Sequence, residues 1–552
     1  MEKDAEAMAK EHREISISQF FEKNRHLLGY DNKIKALLTI VKEGVDNALD
    51  ATEESRILPN IYVKIEELEK EKYKVVIKDN GPGIVKKQVP KIFGKLLYGS
   101  KFHRLKQSRG QQGIGISGCA LYAQLTTGEP TEIITSIGDE VTHRYVLKID
   151  VKSNEPKILK SGIKKNRDDE KWHGTQVSFI VEGIYREHKQ SVLEYLKEVA
   201  ISNPYSQLVF DSPNGRIEFA RGIDHLPPEP KEIKPHLYGV EVGILSRMLH
   251  ETKARTIQTF LTSEFSRVGR LTSTQIIKDA KIMRVNENGI TTDHPDIQRS
   301  PKKVSDEEIR NIVKAIKEVK LTRPPTDCLS PLGGELVESG LSKELNPEFV
   351  AAITRSPEVY RGWPFQIEVG IAFGGSITEA NVMRFANRVP LLYQSGDCAI
   401  TKAVNSMDWR RYGLDTSGKS LDAPVAVFVH MASVWVPFTS ESKESIANYP
   451  IIVKEIKLAL QDCARKLSLY LSGVRKAEWA AERKKTFEKY LAETAIALEE
   501  LTGKPSKTIE ENLIKIIGVS QPEPEQDGTE EEEIPEVEKQ EGEENGGDEK
   551  SD

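Results

Sequence analysis

Hydrophobic and polar positions in the N-terminal third follow two different periods. Between Leu37 and Ala48, apolar residues recur every three or four positions, which predicts an amphipathic helix with one core-facing stripe. The β-rich runs Tyr73–Ile77 and Val177–Val181 predict strands, and the apolar run Ile116–Leu125 follows a glycine-rich stretch. Residues 30–226 are therefore expected to mix helices and strands.

The second half repeats this mixture and then becomes helical. Phe365–Gly374, Asn381–Tyr393 and Pro424–Phe438 predict strands, the last of them a pair, and Ala399–Asp408 predicts a short helix. From residue 451 to 504 there is no proline and apolar positions keep helical spacing. This predicts a long helix, with breaks expected at Gly473 or beyond.

Two proline clusters, at 227–235 and 322–331, predict extended connectors on either side of a smaller segment. Within that segment apolar residues again have helical spacing, and Ser305 to Glu308 form a capping-box sequence ahead of an amphipathic run. Residues 236–321 are therefore interpreted as a small helical insert.

Charge changes this picture only at the C-terminus. The chain of 552 residues has a net charge of −6, but residues 521–552 hold 15 Asp and Glu against 2 Lys. The preceding part then has 77 Lys and Arg against 70 Asp and Glu, a net +7 that is compatible with a polyanionic partner. The Glu-, Gly- and Pro-rich tail is expected to be disordered.

Cysteine spacing and hydropathy exclude several classes of protein. The four cysteines lie at least 65 residues apart, which supports neither a disulfide scaffold nor a zinc finger. The N-terminus has no apolar stretch typical of a secretory signal. The most apolar segment is too short and too interrupted to span a bilayer, so a cytoplasmic protein is expected.

Three polar residues in the first helix, Glu43, Asn47 and Asp50, are spaced to share one face. A solvated polar face is the simpler interpretation of this segment alone. The alternative is a carboxylate base beside an amide oxygen that holds Mg²⁺ near a bound phosphate, where the base could deprotonate water.

Three later motifs are each weak in isolation. Asp79, in the turn DNGPG after a strand, could accept a hydrogen bond from the adenine amino group, although such turns are common. The glycine-rich stretch from Gly110 to Gly115 suits a mobile lid over phosphates, with Lys101 as a further phosphate contact. Thr175, in the GTxV stretch Gly174–Val177, could help to bind adenine, but a plain strand start is the simpler interpretation of this stretch alone.

A fourth stretch, Gly413 to Ser420, matches the phosphate-binding P-loop expression residue for residue. A P-loop needs a hydrophobic strand before it and a helix after it. Here Met407–Tyr412 precedes it, and Pro424 and then a predicted strand follow. We interpret this match as a chance occurrence in a loop.

The order of the motifs, helix, DNGxG, lid and GTxV, resembles the GHKL ATPase superfamily. Further stretches over roughly residues 15–480 resemble the B subunits of the archaeal-type DNA topoisomerase VI, a type IIB enzyme. They are ILPNIYVKI, LLYGSKF, FQIEVGIAFGG, RFANRVPLLY, DWRRYG and SKESIA.

The resemblance implies a role for each matching residue. Glu43 matches the general base, Asn47 the Mg²⁺ ligand, and Asp79 the carboxylate that reads adenine. Lys443 matches a lysine that reaches the γ-phosphate from a distant domain. The matching nucleotide-contacting lid is Ser100, Lys101, Gly110, Gln111, Gln112, Gly113, Ile114, Gly115, Ile116 and Ser117, the last standing where some relatives have a lysine.

The implied fold class is α+β and multidomain. Residues 1–228 would form a GHKL (Bergerat) ATPase α/β sandwich with an N-terminal strap exchanged between protomers. Residues 229–320 would form a helix–two-turn–helix insert, 321–470 an α/β transducer ending in the long helix, 471–520 a helical segment, and 521–552 the acidic tail.

The resemblance also implies cofactors and partners. ATP and Mg²⁺ would bind, and ATP would dimerise two copies of the chain around double-stranded DNA. A DNA-cleaving partner, similar to the second kind of polypeptide in topoisomerase VI, would complete an A2B2 heterotetramer. Such an assembly would be cytoplasmic and nucleoid-associated.

Related classes fit the sequence less well. A gyrase-like single chain should carry an EGDSA run and a DxDxD cluster, and neither occurs. A histidine kinase needs a phospho-accepting helical hairpin upstream, but only 42 residues precede Glu43. A mismatch-repair or chaperone-type ATP clamp remains the enzymatic alternative. A DNA-bound scaffold with a dead ATP site is disfavoured because Glu43, Asn47 and Asp79 are intact.

Overall fold

The computed structural model describes residues 15–101, 104–110, 113–139, 141–166, 172–285, 291–418, 420–440 and 442–519. These residues fall into two compact units, divided between Leu471 and Ser472. The acidic tail, whose predicted disorder is thus untested, lies outside the described residues, as do the first 14 residues of the expected strap.

The helices, numbered along the chain, are α1 Ile17–Lys23, α2 Lys33–Glu54, α3 Val89–Gly94, α4 Gly115–Thr127, α5 Val192–Ser202, α6 Val242–Glu251, α7 Ile257–Glu264, α8 Arg270–Asp279, α9 Asp306–Glu318, α10 Gly334–Leu345, α11 Ala399–Asn405, α12 Pro450–Thr502 and α13 Ser506–Val519. The strands are β1 Asn60–Glu69, β2 Lys72–Lys78, β3 Thr131–Ile137, β4 Val141–Asp150, β5 Glu155–Lys165, β6 His173–Glu182, β7 Gln207–Ser212, β8 Gly215–Phe219, β9 Met283–Val285, β10 Thr291–Pro295, β11 Phe349–Thr354, β12 Glu358–Tyr360, β13 Trp363–Phe373, β14 Asn381–Ala386, β15 Val389–Pro390, β16 Thr416–Ser417, β17 Ser420–Leu421 and β18 Val425–Ser433.

The N-terminal part is a two-layer sandwich of helices on a sheet. Its eight strands run in the order β5-β4-β3-β6-β2-β1-β7-β8, with β1 and β7 parallel and the other neighbours antiparallel. In β1 and β2 buried residues alternate with more exposed ones because helices cover one face of the sheet. Helices α2 and α4 pack on each other and on this face, which confirms the predicted α/β sandwich.

Helix α2 forms where the apolar stripe predicted it. Asn32 caps its N-terminus by accepting a hydrogen bond from the Lys35 N–H at 2.9 Å. Leu37, Val41 and Val45 are buried in the core between helices and sheet. The opposite edge of the helix is thereby left for Glu43 and Asn47.

The insert has its own hydrophobic core, which includes Leu245, Phe260, Ile276 and Ile312 from four helices. The predicted capping box at Ser305 is present and opens α9. Besides helices, the insert contains the two-stranded sheet β9–β10, which the helical interpretation did not anticipate.

The C-terminal part of the larger unit is built on a second sheet, in the order β11-β13-β18-β14-β15, with β12 also paired to β13. The start of α12 packs on this sheet through residues such as Ile456, Leu460 and Leu467. A separate cluster joins α10 and the sheet to Ile201 and Tyr205 of the N-terminal sandwich. The two sheets are therefore linked by an apolar contact.

Two predictions about this second sheet are wrong. Pro424–Phe438 does not form a pair of strands but the single strand β18, all nine residues of which are buried. It lies between β13 and β14 and is covered on both faces, so its apolar run has no turn. Conversely, Asn381–Tyr393 is not one strand, because Asn387 and Arg388 (φ 48° and 68°) reverse the chain between β14 and β15.

The long helix is present and runs from Pro450 to Thr502 without the break expected at Gly473. A glycine costs an exposed helix interior only about 1 kcal/mol, which good helix formers on either side outweigh. Within the described residues, no helix is both long enough and apolar enough to cross a membrane.

Candidate nucleotide site

Two adjoining chambers lie between α2, the glycine-rich segment and the strand ends of the first sheet. The lid-side chamber, of about 510 Å³, is lined by Glu43, Asn47, residues 98–101, glycines of the glycine-rich segment, Ser117 and Lys443. The strand-side chamber, of about 210 Å³, is lined by Asp79, Gly83, Thr175 and Val177. Asn47, Ile92, Lys101 and Ile116 line both, so the two chambers are adjacent and together have the size typical for a small-molecule cofactor site.

Glu43 lies at the lid-side chamber, tightly packed against the start of α4. A Cβ at Gly115 would lie 1.9 Å from Oε2 of Glu43, so the glycine is what lets the helix approach the carboxylate. The Asn47 amide donates from Nδ2 to the Glu43 backbone carbonyl at 2.7 Å. Its carbonyl oxygen, Oδ1, makes no hydrogen bond within the described part of the chain.

That arrangement fits a magnesium ion bound mainly by phosphate. Mg²⁺ keeps several waters and usually takes only one or two protein oxygens when phosphates supply the rest. A single free amide oxygen beside the lid-side chamber is enough for this. Among the described residues, no group of three or more His, Cys, Asp or Glu side chains forms a metal site on its own.

Asp50, the third polar residue predicted on this face, approaches Gly110 as Asn47 does, but it is engaged by basic side chains. It is buried and pairs with Lys101 at 2.5 Å and with Arg109 at 3.0 Å. Although burial alone would raise it, these two cations hold the pKa of the Asp50 carboxyl well below its usual range. Asp50 therefore positions two basic side chains and does not line either chamber.

Asp79 lies at the end of β2 and faces Thr175 at the start of β6. Its Oδ1 accepts hydrogen bonds from the N–H groups of Gly81 at 2.8 Å and Thr175 at 3.1 Å. Burial raises the pKa of this carboxyl to about 6, and the two N–H donors limit the rise. Oδ2 makes no hydrogen bond to any described residue, so it can accept one from a ligand.

Gly174 makes this approach of the two strands possible. Its φ is 136°, and a Cβ there would lie 2.1 Å from the Asp79 carbonyl oxygen. The Thr175 hydroxyl is 3.1 Å from that of Thr135. Local packing therefore explains why a glycine and a threonine stand at positions 174 and 175, beside the site.

The predicted lid residues are mostly assembled around the lid-side chamber. Ser100, Lys101, Gly110, Gly113, Gly115, Ile116 and Ser117 line it. Ile114 instead lines an adjacent cavity, which shares Glu43, Gly115 and Lys443 with the lid-side chamber. Gln111 and Gln112 lie outside the described residues. The Ser117 hydroxyl donates to the Ile114 carbonyl at 3.1 Å, so it is already engaged within its own helix turn.

Lys443 reaches the same chamber from the second sheet domain. Its Nζ donates to the backbone carbonyl of Arg109 at 3.1 Å, across 334 positions of sequence. Its φ of 54° places it in a left-handed turn beyond β18. Lys443 therefore lines the same cavity as Glu43 and Asn47, a connection that sequence spacing alone could not predict.

Sequence reasoning overlooked Tyr98 and Gln88, which also line the lid-side chamber and share a hydrogen bond of 2.6 Å. The only signal was that Tyr98 directly precedes Gly99–Lys101. The apparent P-loop stretch contains the hairpin β16–β17, with a short 3₁₀ helix, Trp409–Tyr412, before it and the strand β18 after it. Its described residues therefore do not have the strand–loop–helix context of a P-loop, and the interpretation as a chance match stays a prediction. Lys419 itself lies outside the described residues.

Comparison with known proteins assigns both sheets. The family described as histidine kinase-, DNA gyrase B- and HSP90-like ATPase matches residues 32–180, and the topoisomerase VI B subunit transducer family matches residues 324–484. The B subunit of the type 2 DNA topoisomerase 6 from Archaeoglobus fulgidus is 44% identical over 93% of this chain and 83% of its own. The chain belongs to the family of topoisomerase 6 B subunits.

A second member of this B-subunit family, from Pyrococcus horikoshii, is 44% identical over 93% of this chain and 96% of its own length. A solved structure, the 43K ATPase domain of Thermus thermophilus gyrase B, aligns with 85% of this chain and 98% of its own, at 13% identity and a TM-score of 0.38. That likeness is too weak to add to the family assignment. The family matches place the residues of both chambers in a GHKL ATPase domain, which is a nucleotide-binding fold, with the exception of Lys443. Lys443 belongs to the transducer.

Proposed function

We propose that this chain is the ATP-binding and ATP-hydrolysing subunit of a type IIB DNA topoisomerase. ATP binding would dimerise two copies around a DNA duplex, and the clamp would drive that duplex through a double-strand break made by a partner protein. The observation that carries this proposal is the meeting of Glu43, Asn47 and Lys443 in one chamber, because it joins hydrolytic groups to a residue of the transducer.

Within the site, adenine occupies the strand-side chamber and the phosphates occupy the lid-side chamber. Oδ2 of Asp79 accepts a hydrogen bond from the adenine 6-amino group, whereas a guanine would present a carbonyl oxygen there. The N-terminal end of α4, which begins at Gly115 beside the lid-side chamber, would bind the phosphates through its N–H groups and helix dipole. Lys101, which lines both chambers, adds a positive charge.

Glu43 acts as the general base. It orients a water molecule at the γ-phosphate and accepts its proton, while Gly115 leaves room for the carboxylate beside the phosphate-binding segment. Asn47 would hold Mg²⁺ through Oδ1, and the chemistry that the ion would supply there is neutralisation of phosphate charge.

Lys443 makes the site sensitive to the state of the nucleotide. Its ammonium group lies close enough to the lid to contact a γ-phosphate and loses that contact after hydrolysis. An element held by one phosphate and released with it is a common two-state switch. The transducer would rotate between these states and open a gate in the partner.

The proposed assembly has two copies of this chain and two DNA-cleaving partner chains, an A2B2 heterotetramer associated with the nucleoid. The domain boundaries at 228, 320 and 470 remain part of the proposal. They are supported by the separate hydrophobic clusters of the sandwich, the insert and the transducer.

Relaxation of a negatively supercoiled plasmid tests this function. The chain is co-purified with its partner and incubated with and without ATP, and single topoisomers are resolved on a gel. ATP-dependent changes of linking number in steps of two are expected. ATP hydrolysis without any change of linking number, and without a DNA-cleaving partner, would instead favour a repair or chaperone clamp.

A further inference from the structure

A row of five alternating charges leads from the lid-side chamber to the transducer sheet. Its members are Lys101, Asp50, Arg109, Glu53 and Arg388, and we refer to them as the charge row. The distances between successive members are 2.5, 3.0, 2.6 and 2.9 Å. Lys101 lines the nucleotide site at one end, and Arg388 lies between β14 and β15 at the other.

Each acid of the row is shared by two cations. Asp50 pairs with both Lys101 and Arg109, and Glu53 pairs with both Arg109 and Arg388. If Lys101 turns toward a phosphate, Asp50 loses one of its two cationic partners in the row and keeps only Arg109. A change at the chamber therefore alters the balance of forces on every later member.

Three of the five members of the row are buried, which strengthens their ion pairs. Asp50, Arg109 and Arg388 are 5%, 4% and 6% exposed. Charges in such a setting are poorly screened, and removal of one partner leaves the other uncompensated. A rearrangement at one end is thus transmitted further than along a solvated surface.

Two neutral side chains complete the row where the two domains meet. The Tyr205 hydroxyl donates to Glu53 at 2.6 Å and lies 3.2 Å from Nη1 of Arg388. Asn203 accepts a hydrogen bond from Arg109 at 2.6 Å. Both residues follow α5, so the row crosses the contact between the sandwich and the transducer.

Beyond Arg388, the row continues into the core of the transducer. The Arg388 N–H donates to Nε2 of His430 at 3.0 Å, and Nδ1 of His430 is 2.7 Å from Glu368. Because Nε2 accepts, Nδ1 carries the proton and donates to Glu368. Glu368 in turn accepts hydrogen bonds from the N–H groups of Leu332 and Gly333, directly before α10.

The row does not have the saturated bonding of a purely structural network. Nε of both Arg109 and Arg388 is buried and has no hydrogen-bond partner within the described part of the chain. Buried donors are normally paired. The two Nε groups could therefore form hydrogen bonds in a second arrangement of the row.

We propose that Arg109 and Arg388 are positioning residues that pass the arrangement of the nucleotide lid to the transducer through Glu53, in addition to the contact of Lys443 with the Arg109 backbone. This inference rests on the proposed function, since it names how the same ATP site is coupled to the transducer. Neither arginine lines the chambers, so neither is a catalytic residue.

The test compares Arg388→Gln with Arg355→Gln in the full chain bound to its partner. Arg355 is the matched control because it also pairs with two acids, Glu455 at 2.8 Å and Asp462 at 3.2 Å, but within the transducer. The readouts are kcat and KM for ATP, the linking-number change per ATP hydrolysed, and the thermal midpoint. A third variant, Tyr205→Phe, removes one hydroxyl from the row without changing any charge.

Arg388→Gln is expected to keep KM for ATP within about threefold and to lower the linking-number change per ATP by about tenfold, a usual coupling between sites. Tyr205→Phe should lower the same ratio by a smaller factor, and Arg355→Gln should leave it unchanged. If the ratio stays at the wild-type value in both row variants, or falls equally in Arg355→Gln, the row is only structural. Absence of ATP-dependent relaxation by the wild type would overturn the proposed function itself, a separate result.

Discussion

The two chambers of the site are built in different ways. The strand-side chamber is lined by strand ends of the first sheet, by helices packed on that sheet, and by Lys101, all within residues 44–177. The lid-side chamber combines α2 and the glycine-rich segment with Lys443, 334 positions from Arg109. Recognition of the base is thus a property of one domain, whereas the phosphate end depends on how two domains are arranged.

This difference predicts different consequences of mutation. Changes at the strand-side chamber should alter affinity for ATP, because they touch a rigid edge of the sheet. Changes at the lid-side chamber should alter hydrolysis or its coupling to DNA passage. The following variants test that division.

The largest effect is expected for Glu43→Gln. Loss of a general base typically lowers a rate by about two to four orders of magnitude, so phosphate release should nearly stop. Dimerisation by a non-hydrolysable ATP analogue, measured by sedimentation, should persist because the amide keeps the shape of the side chain. Glu66→Gln, at an exposed position of β1, is the control. Retained turnover in Glu43→Gln would remove this residue from the role of base.

Gly115→Ala should come next. The new Cβ would displace the flexible Glu43 carboxylate, and a misplacement of about 1 Å can cost about a hundredfold in kcat. KM for ATP should change little. Gly243→Ala serves as the control, since Gly243 is also in the first turn of a helix and has open space around it. Equal kcat values for the two variants would show that Glu43 does not need its present position.

Asp79→Asn should have a moderate effect, confined to affinity. Losing a charged acceptor for the adenine amino group should weaken ATP binding about tenfold to a hundredfold. The nucleotide-free variant should melt no lower than the wild type, because a buried charge is removed and the amide oxygen can still accept from Gly81 and Thr175. Calorimetric titration and thermal melts measure the two quantities, and an unchanged Kd would contradict the adenine contact.

The pH dependence of Asp79 sharpens this prediction. With its pKa raised to about 6, the carboxyl becomes ionised as the pH rises through 6, so ATP affinity should increase over that range. The same raised pKa stabilises the folded chain below about pH 4, and that contribution is lost as the pH rises through 6. Asp79→Asn is the control, since any pH dependence that it keeps belongs to the phosphates. If ATP affinity rises equally with pH in the wild type and in Asp79→Asn, the pH dependence does not come from Asp79.

The smallest effect is expected for Lys419→Ala, in the apparent P-loop. Because its neighbours form a small hairpin and not a strand–loop–helix unit, ATP turnover should match the wild type. A large loss of activity would show that this motif has a function.

Much of the strand-side chamber could be predicted from sequence, and less of the lid-side chamber. Asp79 and Thr175 follow or begin strands whose pattern is clear, and strand ends meet at one edge of a sheet. Lys443 has no local signature and was identified only through family resemblance. Asp50 was placed with Glu43 by helical spacing, but spacing does not show that a buried Arg109 would capture its carboxylate.

The fold shows the same contrast. The sandwich, the capping box at Ser305 and the long helix follow from hydrophobic periodicity and cap chemistry. The turn at Asn387 and Arg388 does not, because neither residue is the glycine that usually marks left-handed backbone. Side-chain hydrogen bonds from Asn387 to Ser108 and Ser433 hold that turn, and such tertiary contacts have no local signal.

The most direct test of the account measures ATP hydrolysis and linking-number change in one reaction, for the wild type and for Lys443→Met bound to the partner. If Lys443 couples the nucleotide to the transducer, the linking-number change per ATP hydrolysed should fall at least about tenfold in the variant. KM for ATP should rise only modestly, since Asp79 and the lid remain. An unchanged ratio in Lys443→Met would contradict the claim that the transducer senses the nucleotide through this lysine.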